Sequence, residues 1–567
     1  MLKGKSARQN QAAKIQSLGT LTALLCLLTL AACTSTNITA TRLAPTNTSQ
    51  PPTAISSSPT ATSQPPTATS TPQSKIQHPT SEIKDCPASK FTCITLAVPL
   101  DHFDPANTET ISVTFGLLRA TGQRRGLYVT AVGGPGASGL QSADTYTKEF
   151  DPAIHEHFDI AFFDQRGVGQ SGGWQCVDAA AQYYQTEVRT ETRAQEQALS
   201  AAARRFAEDC PREAQFDLAR TRYYNTRQAV EDLEAFRDYL GDPQFWLYGE
   251  SYGTQFAQTY AAAHPDRLAG LILDGPVDLT VSIEDFLTQQ AQAFNDVLLL
   301  TLEACQRDLA CRHDLNNNAL RTYDRLAARL KRSPIEFEFT RTDGSTISRT
   351  LTLAQFENAV TYLLYDDQGR VDLLHALADT QADDYQALAL AAYDSLGLDA
   401  DTLEAFVDPS FSDAVYYAVE CNDYNFLGEV PAAQRAEAYL RAGDKVEETV
   451  PRLSSVFYGD LPCVFWSAGI APRPPALKAI GIPTLVLGAT ADPATPVKNA
   501  RDIYRNLSDG YLILKEGGSH VIFGYGDHCP DDLVTAFLVD GQRPPDRATT
   551  CPGDVIYPYT DEQRAAR

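Results

Sequence analysis

The run Phe245-Trp246-Leu247-Tyr248-Gly249-Glu250-Ser251-Tyr252-Gly253-Thr254 constrains the chain most, because an apolar segment passes directly into G-x-S-x-G. The residues after it, Gln255 to Pro265, follow a helical pattern that stops at the proline. A strand, a sharp turn and a helix are therefore predicted. A serine at such a turn adopts a strained backbone, and Gly249 and Gly253 leave room for strand and helix to approach. This context favours Ser251 as a nucleophile over a purely structural turn.

At 567 residues the chain exceeds one ordinary hydrophobic core, which predicts a large domain with an insertion, or two domains. Its net charge of -24 sets it against nucleic acid as a partner, since phosphate binding needs a basic surface. There is no C-x-x-C pair and no H-E-x-x-H, so no metal site is predicted.

Lys3, Lys5, Arg8 and Lys14 precede an apolar run from Leu18 to Leu30, which closes in Leu30-Ala31-Ala32-Cys33. The run is short for a membrane span and reads as an export signal. Its end resembles a lipoprotein box with Cys33 as the lipidated residue. An ordinary secretory signal cut near Ala32 is the alternative, and both readings export the chain. Residues 34–80 are rich in Thr, Ser, Pro and Ala. They carry too little apolar surface to offset chain entropy, which predicts a flexible tether between a membrane and the catalytic domain. Beyond Cys26 and Cys33, ten cysteines remain, an even number suited to an oxidising compartment. Pairing by neighbour gives Cys86–Cys93, Cys176–Cys210, Cys305–Cys311, Cys421–Cys463 and Cys529–Cys551; a mixture of bridges and free thiols is the alternative.

From Cys86 onward, strand-like runs cover Phe91–Leu100, Ile111–Leu118, Leu127–Val132 and His157–Asp164. The third leads into Gly133-Gly134-Pro135-Gly136, a loop whose backbone N–H groups can face an empty site. The N–H groups of Gly134 and Tyr252 are the expected oxyanion donors. Arg166, in Asp164-Gln165-Arg166-Gly167, is expected to lock its loop by clamping Glu250 or Asp164, with direct substrate contact as the alternative. Helical stretches at Ala179–Glu208 and Thr226–Leu240 alternate with the strands, which is the mark of a parallel sheet. After the sixth core strand, Leu268–Asp274, residues 277–478 carry mostly amphipathic helical runs and one candidate hairpin, Ile335–Thr340 with Ser345–Leu353. This reads as a helical cap between core segments 81–276 and 479–567. The sheet resumes at Pro483–Gly488, with Asp492 in the following loop, and at Gly510–Lys515, followed by Gly518-Ser519-His520. The order Ser251, Asp492, His520 is that of an α/β-hydrolase triad. Asp274, also at a strand end, is the alternative acid.

Taken together, these motifs resemble the prolyl-aminopeptidase group of α/β hydrolases, and most of all its secreted tripeptidyl aminopeptidase-like branch. Val98-Pro99-Leu100-Asp101-His102 and Glu420-Cys421-Asn422-Asp423 are similar to that branch too. Val132 is a departure, since many members of the wider group carry His before the glycines. The resemblance implies release of short peptides from a free amino terminus without a cofactor. It also implies cap carboxylates that hold the substrate ammonium. Glu420 and Asp423 are the candidates, with a helix-end network beside the Cys421 bridge as the alternative, and Glu250 is a further candidate for substrate contact. A carboxylesterase, a serine carboxypeptidase and a binding lipoprotein on an inactive hydrolase scaffold remain as rival functions.

Overall fold

The computed structural model describes residues 81–466, 471–473, 476–479 and 481–560. The signal, Cys33 and the Thr/Ser/Pro-rich stretch lie outside the described residues. The strands are β1 (Ser81–Asp85), β2 (Thr92–Pro99), β3 (Thr110–Leu118), β4 (Gly126–Ala131), β5 (Phe158–Phe163), β6 (Phe245–Glu250), β7 (Leu268–Asp274), β8 (Ile335–Thr340), β9 (Thr346–Leu351), β10 (Thr484–Ala489), β11 (Gly510–Lys515) and β12 (Ala548–Cys551). Ten of them form one sheet in the order β1-β2-β3-β5-β4-β6-β7-β10-β11-β12, and β8 pairs with β9 alone.

From β5 to β12 every pairing is parallel, while β1, β2 and β3 join antiparallel at one edge. The central strands are mostly apolar, as burial on both faces demands: Phe158-Asp159-Ile160-Ala161-Phe162-Phe163 and Thr484–Ala489 are buried at every position, with Asp159 held by Arg119 and Arg124. One face packs Leu247, Phe256 and Val486 against helix Thr226–Leu240, and the other packs Tyr128, Ile160 and Leu487 against helix His528–Asp540. The edge strands β1 and β12 are not among the strands expected from the sequence. All five residues of β1 are exposed, so no burial pattern marks it, and seven strands rather than six precede the insertion.

Between β7 and β10 the chain is mainly helical, with β8 and β9 as its hairpin. Its hydrophobic core also takes in Cys176, Leu199, Phe206 and Cys210, which come from two helices (Val177–Tyr184 and Arg193–Glu213) between β5 and β6. The sequence reading assigned that segment to the sheet layer. Its apolar faces instead meet Phe294, Tyr417 and Phe457, so the structure over the strand ends is built from two separate stretches of chain. The five cysteine pairs formed are the neighbour pairs expected.

Candidate active site

Ser251 sits between β6 and the helix Tyr252–Ala263, at φ 53° and ψ -125°. That conformation costs on the order of 1–3 kcal/mol for a residue with a Cβ. The crossing is so tight that a Cβ on Gly249 would strike the carbonyl of Gly253, and one on Gly253 would strike that of Ala131. The Ser251 N–H donates to Asp274 O at 2.9 Å, which fixes the turn against β7.

His520 follows β11 and Asp492 follows β10, so both arrive at the same end of the parallel sheet as Ser251. Nδ1 of His520 lies 2.9 and 3.0 Å from the two Asp492 oxygens. That carboxylate also accepts the N–H groups of Ala494 and Thr495 and the Thr495 hydroxyl, each at 2.9 Å. The Nε2 of His520 is buried and has no hydrogen-bond partner among the described residues. An imidazole held at Nδ1 with Nε2 open is arranged to exchange a proton with a neighbouring hydroxyl. Asp274 is engaged elsewhere: its carboxylate accepts the N–H groups of Ile522 and Phe523 and the Tyr248 hydroxyl, holding the loop after His520 in place.

Gly134, Ser251 and Tyr252 line one pocket. Tyr252 opens its helix, so its N–H precedes the first intrahelical bond. The loop carrying Gly134 is pinned by Asp164, whose carboxylate accepts the Ser138 hydroxyl at 2.6 Å and the Gln170 N–H at 2.8 Å; burial pushes that carboxyl up to about 6.

Arg166 pairs with neither Asp164 nor Glu250. It holds Asp232 bidentately at 2.8 and 2.7 Å and donates to the carbonyls of Leu100 and Tyr223. The guanidinium thus reaches toward the helix Thr226–Leu240, away from the elbow. Glu250 likewise faces away from the pocket, accepting hydroxyls of Tyr146 and Tyr248, because successive strand residues point to opposite faces.

The far wall of the pocket carries Glu420 and Asp460 among the hydroxyl-bearing rings of Tyr184, Tyr416, Tyr417 and Tyr424. Asp423 is not part of it. Two residues beyond Cys421, it turns inward to accept the Thr226 N–H at 3.1 Å and the Gln255 amide at 2.8 Å. The second pocket carboxylate is therefore Asp460, which sequence reasoning missed. It accepts the Tyr416 hydroxyl at 3.0 Å, and burial pushes it up to about 6. Glu420 is driven well above the ordinary range by burial first, then by the nearby charges of Asp460 and Asp423, with Arg473 opposing. A signal was present: pairing Cys421 with Cys463 brings Glu420, next to one cysteine, and Asp460, three residues before the other, into one neighbourhood. Phe286, Leu287, Phe294 and Val456 add apolar lining to the same pocket.

The family model described as alpha/beta hydrolase fold matches residues 132–527. The serine protease Hip1 of Mycobacterium tuberculosis is 29% identical over 470 residues, covering 80% of this chain and 86% of its own. Carboxylesterase B of the same species is 28% identical over 471 residues, with 80% and 85% covered. A tripeptidyl aminopeptidase of Streptomyces lividans is 25% identical over 476 residues, with 81% and 83% covered. Fold, site geometry and similarity agree, and the chain belongs to the alpha/beta hydrolase fold family as a serine hydrolase.

Proposed function

We propose that this chain is an exported serine exopeptidase that releases residues or short peptides from the free amino terminus of peptide substrates through an acyl-enzyme. The observation that carries this reading is the Glu420–Asp460 pair, two carboxylates lining the same pocket as Ser251, with Arg473 as the nearby cation that opposes the mutual repulsion at Glu420. Like charges held together in a buried site are costly, and a bound ammonium offsets that cost. The tyrosine hydroxyls around them supply acceptors for the remaining ammonium protons.

In this reading His520 takes the Ser251 proton as the hydroxyl attacks the scissile carbonyl, then returns it to the departing amine. Asp492 orients the ring and stabilises its charged form. The N–H groups of Tyr252 and Gly134 hold the oxyanion, each contributing about 3 kcal/mol in comparable sites. Water then attacks the ester on Ser251 and frees the amino-terminal product. Five disulfides support passage through an oxidising compartment, and the Cys33 box supports a lipid anchor at a membrane.

The test compares hydrolysis of matched chromogenic peptides with free and acetylated amino termini, with Ser251→Ala as control. Strong preference for the free amine is expected. Equal rates, or turnover of simple esters alone, would move the assignment to an acyl hydrolase, the activity in the name of the carboxylesterase B relative.

A further inference from the structure

We propose that Arg370, on the helix Asp367–Asp379 of the insertion, is a positioning residue for the Asp492–His520 pair; this rests on the triad reading above. Its side chain is fully buried and no carboxylate bonds it among the described residues. Nε donates to Leu364 O at 3.0 Å, Nη1 to Gly518 O at 2.8 Å and Val555 O at 2.9 Å, and Nη2 to Ala491 O at 2.6 Å. A guanidinium without a directly bonded counter-ion is expensive to bury, so its retention needs a reason beyond filling space.

The acceptors give that reason. Ala491 immediately precedes Asp492, and Gly518 lies two residues before His520. These two loops leave different strands, yet their side chains must meet at 2.9–3.0 Å. One rigid, planar cation holds both backbones and thereby sets the distance between them. The same stretch of the insertion touches the histidine loop twice more. Tyr365 O accepts the His520 N–H at 2.7 Å while its ring stands edge-on to the imidazole, and the Ser519 hydroxyl donates to Asp367. The insertion thus forms the outer wall of the catalytic loops as well as a substrate pocket.

The experiment uses the full chain with Arg370→Lys and Arg370→Met, each alone and combined with Asp492→Asn, assayed on a free-amine peptide. Lysine keeps the charge but presents one donor centre, which cannot reach acceptors spread around a plane. In the otherwise wild-type chain, kcat is expected to fall roughly tenfold for the lysine variant and roughly 10²-fold for methionine, with KM within about twofold. In the Asp492→Asn background the same changes are expected to cost less than about twofold more, since the pair they align is already broken. Equal losses in both backgrounds, a loss carried by KM, or an Arg370→Lys protein that fails to fold by circular dichroism would each overturn the proposal. Ser251→Ala is run alongside: if it kept its turnover, the triad reading itself would fail, whatever Arg370 does.

Discussion

Asp492 and Asp460 are both buried aspartates serving one cleft, but they stand in opposite conditions. Asp492 accepts two backbone N–H groups, a threonine hydroxyl and the His520 ring. Among the described residues Asp460 accepts a single tyrosine hydroxyl, and it lies close enough to Glu420 to feel its charge. A carboxylate whose lone pairs are filled is a fixed orienting device, whereas one left wanting partners is a receptor for a cation. On the proposed function the difference separates turnover from recognition, and substitutions at the two ends should therefore fail in different constants.

The largest contrast is expected from Asp492→Asn, which should lower kcat roughly 10⁴-fold at nearly unchanged KM, while Asp460→Asn leaves kcat within a few-fold. Steady-state kinetics on one free-amine peptide checks both. Next, Glu420→Gln or Asp460→Asn should raise KM for free-amine peptides about 10- to 100-fold, the worth of a charge-assisted contact, and barely alter it for acetylated ones. If both substrate types suffer alike, the far wall is not an ammonium receptor.

A pH titration sharpens the point. Burial raises the Asp460 carboxyl to about 6, so the group gains a proton as pH falls through that value and loses its attraction for an ammonium. KM for the free-amine peptide should climb below about pH 6, and this climb should shrink in Asp460→Asn. The smallest effect concerns stability. Because the folded-state value lies above the unfolded one, the folded chain binds more protons between the two, and this group's contribution is lost as pH rises through about 6. Asp460→Asn should therefore melt about 1–2 °C higher than wild type at pH 7.5 and match it near pH 4, measured by differential scanning calorimetry.

The placement of the proposed triad was legible in the sequence because each of its groups sits one loop beyond an apolar strand. Ser251, Asp492 and His520 announce themselves by local pattern, and the turn glycines reinforce it. The recognition end has no such grammar. Asp460 lies in a 3-10 stretch, Ser454–Val464, and reaches the pocket only because a disulfide and a ring of tyrosines fold it there. Asp423 looked equivalent to Glu420 because residues three apart on a helix are neighbours, but its side chain found Thr226 and Gln255 instead. The direction of Arg166 was likewise set by a distant partner, Asp232, that no local pattern ties to it.

The hydrophobic core above the strand ends draws on two separate stretches of chain, one leaving the sheet after β5 and the other after β7. A roof pinned through both stretches has little freedom to swing, in contrast to a flap hung from one pair of hinges. Glu420 and Asp460 line the same pocket as Ser251, and on the proposed function the cleft would work as a gauge block. Under the proposed exopeptidase reading, a peptide would be cut at whichever bond falls beneath the serine once its first nitrogen touches the stop, and product length would be a property of the scaffold rather than of the side chains fed into it.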